Sequence, residues 1–449
     1  MGTEETKESI EMERELPLSY WRIFKTWLPL GMTQFLMAAE DPLYVAVIMR
    51  LSFPKLELGA LYSYMWPILL LIGSAVFTLR TVGNVFGTNL ANIRRVKVLA
   101  FLLGLFCSLL MCLFAFTPIG PLFLREVMAI PEPELSMAMG ALKIGAIYPV
   151  SSSMNLIFQG ILIRGGYASQ ILVSRIIRFF VGLAVLIIGL ETKMAGGAVL
   201  GCLAVVVSLV AQTVYVWWKS RACIKELELD PIEEKVVTVP NLIKFTIPLA
   251  ISPICTSIIG LIMAAALGRL PGVIISLAVW PVITNFNNIG LGMGESFDQV
   301  TVKHYSTHRD RRMLRRFGFI LGILLTGLTI LFIVTGFFHF ALRTLENLDI
   351  ATADISTNAM WFLTAMPFLY TMGSYYSGLL AKSMNTMPIL IAQIISLAIV
   401  SIMLLATVNL EPFLGVYVVA ASSVVAGFVS LFWMYHCWRK VLRGLPADD

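Results

Sequence analysis

Residues 98–116 read VLAFLLGLFCSLLMCLFAF, an apolar run without one charged side chain, and Arg94, Arg95 and Lys97 stand just before it. A helix needs about 20 such residues to cross roughly 30 Å of hydrocarbon, where no water is available to satisfy a stray backbone group. Eleven further segments read the same way, beginning near Phe24, Ala60, Ala141, Ile171, Gly197, Phe245, Val273, Phe317, Asn358, Pro388 and Leu414. The chain therefore reads as an all-α polytopic membrane protein of twelve transmembrane helices.

Composition agrees. Over 449 residues, 58% are hydrophobic, 13% are charged and the mean hydropathy is +0.84. A water-soluble domain carries roughly a quarter of its residues as charges, so much of this surface faces something other than water. The net charge of +6 does not indicate nucleic acid, because the cations sit in short runs between apolar segments rather than along one aqueous face. None of the six cysteines has a CxxC or Cys/His spacing that would suggest a metal. The first 15 residues hold six glutamates and no apolar run, so no secretory leader is expected.

An even span count puts both termini on one face. Of the 33 Lys and Arg residues, 25 fall on that face, seven on the other, and Arg80 lies inside span 2. By the positive-inside rule the terminal face is cytoplasmic, which places the chain in the cell membrane with both ends inside. The expected layout is an acidic tail over 1–23, a six-helix bundle over 24–218, a cytoplasmic linker over 219–244, a second bundle over 245–438 and a tail over 439–449.

The two bundles read as copies. At a spacing of 219, Lys25, Pro29 and Arg50 recur as Lys244, Pro248 and Arg269; at 214, Trp66-Pro67 recurs as Trp280-Pro281. From span 3 onward the spacing settles at 218, where Gly104, Pro149, Gly160 and Gly197 meet Gly322, Pro367, Gly378 and Gly415, and Arg164 meets Lys382. Six spans per copy send both copies into the membrane in the same direction, related by an axis along its normal, as in secondary transporters. A polar cleft between the copies is the expected substrate path.

Span 1 reads Pro29-Leu30-Gly31-Met32-Thr33, followed by Glu40 and Asp41 and closed by Arg50-Leu51, and span 7 repeats part of it as Ile247-Pro248-Leu249. This is similar to the opening segment of the multidrug/oligosaccharidyl-lipid/polysaccharide (MOP) superfamily, which includes the MATE exporters. Together with Trp280-Pro281-Val282 and Ala426-Gly427-Phe428-Val429, it resembles the progressive ankylosis (ANK) family more closely. The resemblance implies a V-shaped pair of bundles that opens alternately to either side. The ANK likeness implies export of small anions such as citrate, nucleotides or pyrophosphate; the MATE likeness implies cation-coupled multidrug efflux. Arg80 matches no MATE motif, and two adjacent acids stand where one is usual.

An ionisable side chain within hydrocarbon costs about 3 kcal/mol on insertion scales and is by default a functional candidate. Glu40 and Asp41 are expected to handle a coupling proton or sodium ion, unless span 1 ends early and both meet the outer water. Candidate substrate contacts are Thr33, Gln34, Arg80, Asn155, Gln159, Asn285, Asn287, Asn288 and Tyr375, with hydrogen bonding between helices as the alternative role of the amides. Arg80 either grips a carboxylate or phosphate through paired hydrogen bonds or snorkels to the headgroups. Arg175 and Arg178 read as headgroup anchors or a positive entrance, Glu295 and Asp298 as partners of the neighbouring basic loop, and Tyr370, Tyr375 and Tyr376 as cavity-flanking or packing rings.

An enzyme is not expected: no GxSxG, HExxH or Gly-rich phosphate loop is present, and the four histidines form no base or metal set. The stretch Gly87 to Arg95 lacks the major-facilitator signature. The sequence thus points to a secondary active exporter of small organic or phosphate-bearing anions, a monomer in the lipid bilayer, with no cofactor beyond a coupling proton or sodium ion. MATE-type drug efflux and a lipid-linked sugar flippase are the alternatives.

Overall fold

A computed structural model describes residues 18–48, 50, 56–57, 59–126, 128, 130, 132–192, 196–229, 236–267, 269–344, 349–407 and 414–443. They form helices and no strand. Twelve rods follow one another: α1 (Tyr20–Ile48), α2 (Ala60–Phe86), α3 (Leu90–Phe116), α4 (Glu132–Gly145 and Tyr148–Gly165), α5 (Ala168–Thr192) and α6 (Gly197–Leu229). The second set is α7 (Val239–Leu267), α8 (Val273–Glu295 and Phe297–His304), α9 (His308–Val334), α10 (Ile350–Leu363 and Met366–Lys382), α11 (Met387–Thr407) and α12 (Gly415–Arg443). Among the described residues, eight helices are by themselves long and apolar enough to cross a bilayer, and α4, bent by 42° at its break, makes a ninth. The α6 helix continues ten residues beyond Lys219, because helix propensity does not stop where hydrocarbon does.

Helix boundaries show the duplication more sharply than single residues do. Shifted by 218, Leu79–Phe86 falls on Phe297–His304, Leu90–Phe116 on His308–Val334, and the short connecting helix Ile119–Glu126 on Phe337–Thr344. The break in α4 falls on the break in α10, and Pro149 and Pro367 open the second segment of each, where a missing N–H is harmless. Even the caps correspond, Asn89 accepting from the Asn92 N–H and Thr307 from the Asp310 N–H.

Proline also sets the irregular course of α2. Pro67 cannot donate to the preceding turn, and the seven residues Gly59–Met65 wind as a wide π-helical turn just before it. Further on, Ser74–Thr78 tightens into a 3-10 turn where α7 packs alongside.

Two equivalent glycines set matching close crossings. A Cβ on Gly160 of α4 would lie 2.3 Å from the Arg80 carbonyl oxygen and 2.8 Å from Gly83 Cα; its mate Gly378 of α10 would place one 2.7 Å from the Asp298 carbonyl oxygen. Positions 80 and 298 are therefore equivalent, each set against the glycine of its own half.

The apolar clusters show where the halves meet. One cluster joins both, taking Trp27, Leu30 and Phe86 from the first half and Phe245, Leu249, Phe297 and Val300 from the second, all toward the basic, terminal face. The clusters toward the opposite face each draw on one half alone. Two bundles sealed at one end and separately cored at the other leave a gap that widens away from the basic face.

Backbone atoms cannot retreat from an added methyl as a side-chain tip can, so Gly160→Ala is expected to cost about 3 kcal/mol through overpacking. Gly327→Ala, with no heavy atom within 4 Å of the new Cβ, serves as the control and should be neutral. Thermal unfolding in detergent reads both, and equal midpoints would refute the close crossing of α2 and α4.

Candidate functional site

Glu40 sits in the second half of α1 and is 6% exposed. Its Oε2 accepts a hydrogen bond from Arg175 Nη2 at 2.8 Å and lies 3.8 Å from Arg178 Nε. Both arginines project from one face of α5, three residues apart, and are as buried as the glutamate. The same half buries further hydrogen-bonded polar groups. Gln212 of α6 donates to Ser174 Oγ at 3.1 Å, Asn155 of α4 donates to Thr213 Oγ1 at 3.3 Å, and Gln159 donates to Asn155 Oδ1. Two guanidinium groups against one carboxylate leave the centre with a formal charge of +1. Glu40 Oε1 and the Nε atoms of Arg175 and Arg178 are buried without a hydrogen-bond partner. Buried charge is costly unless paired and fully hydrogen-bonded, so this centre is one cation in excess and short of acceptors.

The second centre lies where the halves meet. Gln299 of α8 donates to Thr81 Oγ1 of α2 at 2.8 Å, and Asn84 donates to the Gln299 carbonyl oxygen at 2.9 Å. Since 81 and 299 are equivalent positions, the axis relating the halves passes through that contact. Arg80 and Asp298 are the adjacent equivalent pair, of opposite sign, and Arg80 lies within electrostatic range of Asp298 and Glu295. Tyr370 of α10 faces the same Glu295. Here two carboxylates oppose one guanidinium, giving a formal charge of −1.

Along α8, Asn285, Asn288, Gly292 and Glu295 fall on one helical stripe. Gly292 packs on Gln34 of α1, where a Cβ would meet Gln34 Cβ at 3.0 Å, while Asn285, Asn288 and Glu295 are exposed. The stripe runs from the Gln34 contact into the gap, so these amides face the space between the halves. The sealed end beyond is held by Trp27 Nε1 donating to the Met293 carbonyl oxygen at 3.0 Å, Thr26 against His304 Nε2 at 2.9 Å, and the Phe86–Phe245 ring pair.

No protein-family model matches the chain, and no curated protein does. Solved structures do match. An outward-facing multidrug-resistance MATE transporter of the MOP superfamily aligns with TM-score 0.69 and 15% identity over 95% of this chain and 96% of its own. A variant of the Vibrio cholerae MATE transporter VcmN aligns with TM-score 0.72 and 13% identity over 94% and 97%. A MOP superfamily transporter from Pyrococcus furiosus, described for the reverse polarity of its binding pocket, aligns with TM-score 0.67 and 15% identity over 92% and 95%. This is the MATE fold.

On the MATE fold the residues singled out in the sequence separate into groups. Glu40, paired with Arg175, and Asn155 and Gln159, bonded to each other, are buried inside the first half, whereas Gln34, Arg80, Asn285 and Asn288 border the gap. Three of the expected substrate contacts are engaged or buried within the protein. Tyr375 is 1% exposed, its hydroxyl donates to the Arg311 carbonyl oxygen at 3.1 Å, and its ring packs on Tyr376. Thr33 donates to Leu30 of its own helix at 2.6 Å, and Asn287 turns away from the stripe into the interior. The side chain of Asp41 lies outside the described residues.

Arg175 and Arg178 were not legible as site residues, because counting from the first apolar residue of α5 puts them near its end. Their spacing on one face, opposite a lone buried glutamate, was the available signal. Glu295 and Asp298 face Arg80 rather than the basic loop after α8.

Removing Glu40 leaves two buried guanidinium groups without a counter-charge. Glu40→Gln should destabilise the folded protein by about 3–5 kcal/mol, and adding Arg175→Gln should restore more than half of that loss. A double-mutant cycle in thermal unfolding measures the coupling, and strictly additive losses would show that the two side chains do not form a pair.

Proposed function

We propose that this protein is a secondary transporter that moves small organic or phosphate-bearing anions across the membrane by alternating access. The carrying observation is the buried Glu40, Arg175 and Arg178 centre, whose uncompensated positive charge and unpartnered donors invite an anion. The resemblance of span 1 and Trp280-Pro281-Val282 to the ANK family points to the same substrate class. The neighbour described for its reversed pocket polarity is a precedent for this fold serving pockets of different sign.

With the basic face read as cytoplasmic, the gap opens to the outside, as in an outward-open state. In the empty protein the uncompensated positive charge of the buried Glu40, Arg175 and Arg178 centre is costly. An anion cancels that charge and lowers the cost of occlusion, which ties movement of the halves to loading. Opening toward the basic face then breaks the Thr81–Gln299–Asn84 hydrogen bonds and the aromatic contacts beside them.

The coupling ion, a proton or sodium, is assigned to Glu295 and Asp298, because Glu40 is already opposed by two arginines. The same excess of carboxylates favours a second reading, MATE-type efflux of organic cations, with the gap rather than the first half as the binding place.

Flux into proteoliposomes separates the readings. Labelled citrate, nucleotide or pyrophosphate is expected to accumulate; Arg175→Gln/Glu40→Gln should lower the rate at least tenfold, and Glu295→Gln should shift the pH or sodium dependence with the anion still carried. Transport of cationic dyes without anion flux would replace the first reading with the second.

A further inference from the structure

Outside the seam and the first-half centre, four basic side chains converge on one cavity. Helices α3 and α6 both pack on α4 but hardly touch each other, leaving a groove floored by Phe158 near the basic face. Lys97 of α3 and Lys219, Arg221 and Lys225 of α6 line a cavity of about 730 Å³ there, together with Trp217 and Trp218. No acidic side chain lines it, and none pairs with these four cations among the described residues.

The groups are held in place. Lys219 Nζ lies 4.4 Å from the centre of the Trp218 ring, and the Arg221 guanidinium lies 3.8 Å from that of Trp217, cation–π contacts that orient the cations while leaving their N–H groups to donate. Trp217 and Trp218 are 40% and 58% exposed, as indoles at a membrane interface are. Along α3, Phe101 and Leu105 continue the face of Lys97, and along α6, Val214 and Val210 continue that of Trp217; all four are exposed. The groove thus joins a cationic pocket at headgroup depth to two apolar tracks running into the hydrocarbon.

We propose that this groove is a binding site for an anionic phospholipid of the leaflet at the basic face, its phosphate-bearing headgroup held by Lys97, Lys219, Arg221 and Lys225 and its acyl chains lying along α3 and α6. A bias of cations toward one face serves topology wherever the residues fall. It does not require cations from helices more than a hundred residues apart to meet in one pocket above exposed apolar tracks. A soluble phosphate would use the cations but not the tracks, and the lipid uses both.

Native mass spectrometry of the full chain in detergent tests this with phosphatidylserine and phosphatidylcholine of matched acyl chains. Phosphatidylserine is expected to bind at least tenfold more tightly. Arg221→Gln/Lys225→Gln should weaken it about 25-fold, roughly fivefold per basic residue near an anionic headgroup, with phosphatidylcholine unaffected. Should that variant fail to give a monodisperse peak, Lys97→Gln/Lys219→Gln makes the same measurement. Equal affinity for the two lipids, or unchanged phosphatidylserine binding in a folded variant, overturns the proposal. So does displacement of phosphatidylserine by glycerophosphoserine, which lacks acyl chains, at equal concentration, since the site would then take soluble phosphates.

Discussion

The arrangement depends on one close contact, that of α2 with α8 on the axis between the halves. There Thr81 meets Gln299, its own counterpart, and Asn84 adds a second bond to the Gln299 backbone. Each partner is backed by a glycine of its own half, Gly160 behind α2 and Gly378 behind α8, which lets the helices approach to backbone distance. Because this seam and the apolar cluster around it lie toward one face, the bundles part toward the other. Those contacts, with the Trp27–Met293 and Thr26–His304 hydrogen bonds, close the basic side.

Much of the architecture was readable from the chain because its signals are local and scarce. Prolines, glycines and charges are few among so many apolar residues, so Pro149 with Pro367 and Gly160 with Gly378 mark the repeat where leucines could not. Side-chain depth and direction were harder to read. Counting from the start of an apolar run treats a helix as upright and places Arg175 at the headgroups, whereas it is buried against Glu40 of α1. Tyr375 illustrates the opposite error: a polar atom at mid-membrane depth suggests a cavity, yet its hydroxyl is used by the Arg311 carbonyl. Partners distant in the chain decide both cases, and no periodicity within one segment records them.

The two halves share a backbone plan and differ in chemistry. The first half encloses a charged, amide-rich interior, while the positions of the second half matching Glu40 and Asp41 are Ile259 and Gly260. Clusters built on Val279, Phe338 and Met360 and on Met263, Val400 and Val419 fill the second half with apolar contacts. Similar scaffolds thus carry unlike contents.

Arg80 and Asp298 occupy the same place in the two copies and carry opposite signs. A pair of identical subunits could not reproduce this, since a twofold axis would set arginine against arginine or aspartate against aspartate. Joining the copies in one polypeptide frees each side to diverge, so attraction replaces repulsion where the halves must come together. Asp298→Lys would set two cations at equivalent positions, and with them a mutual repulsion where the two bundles meet.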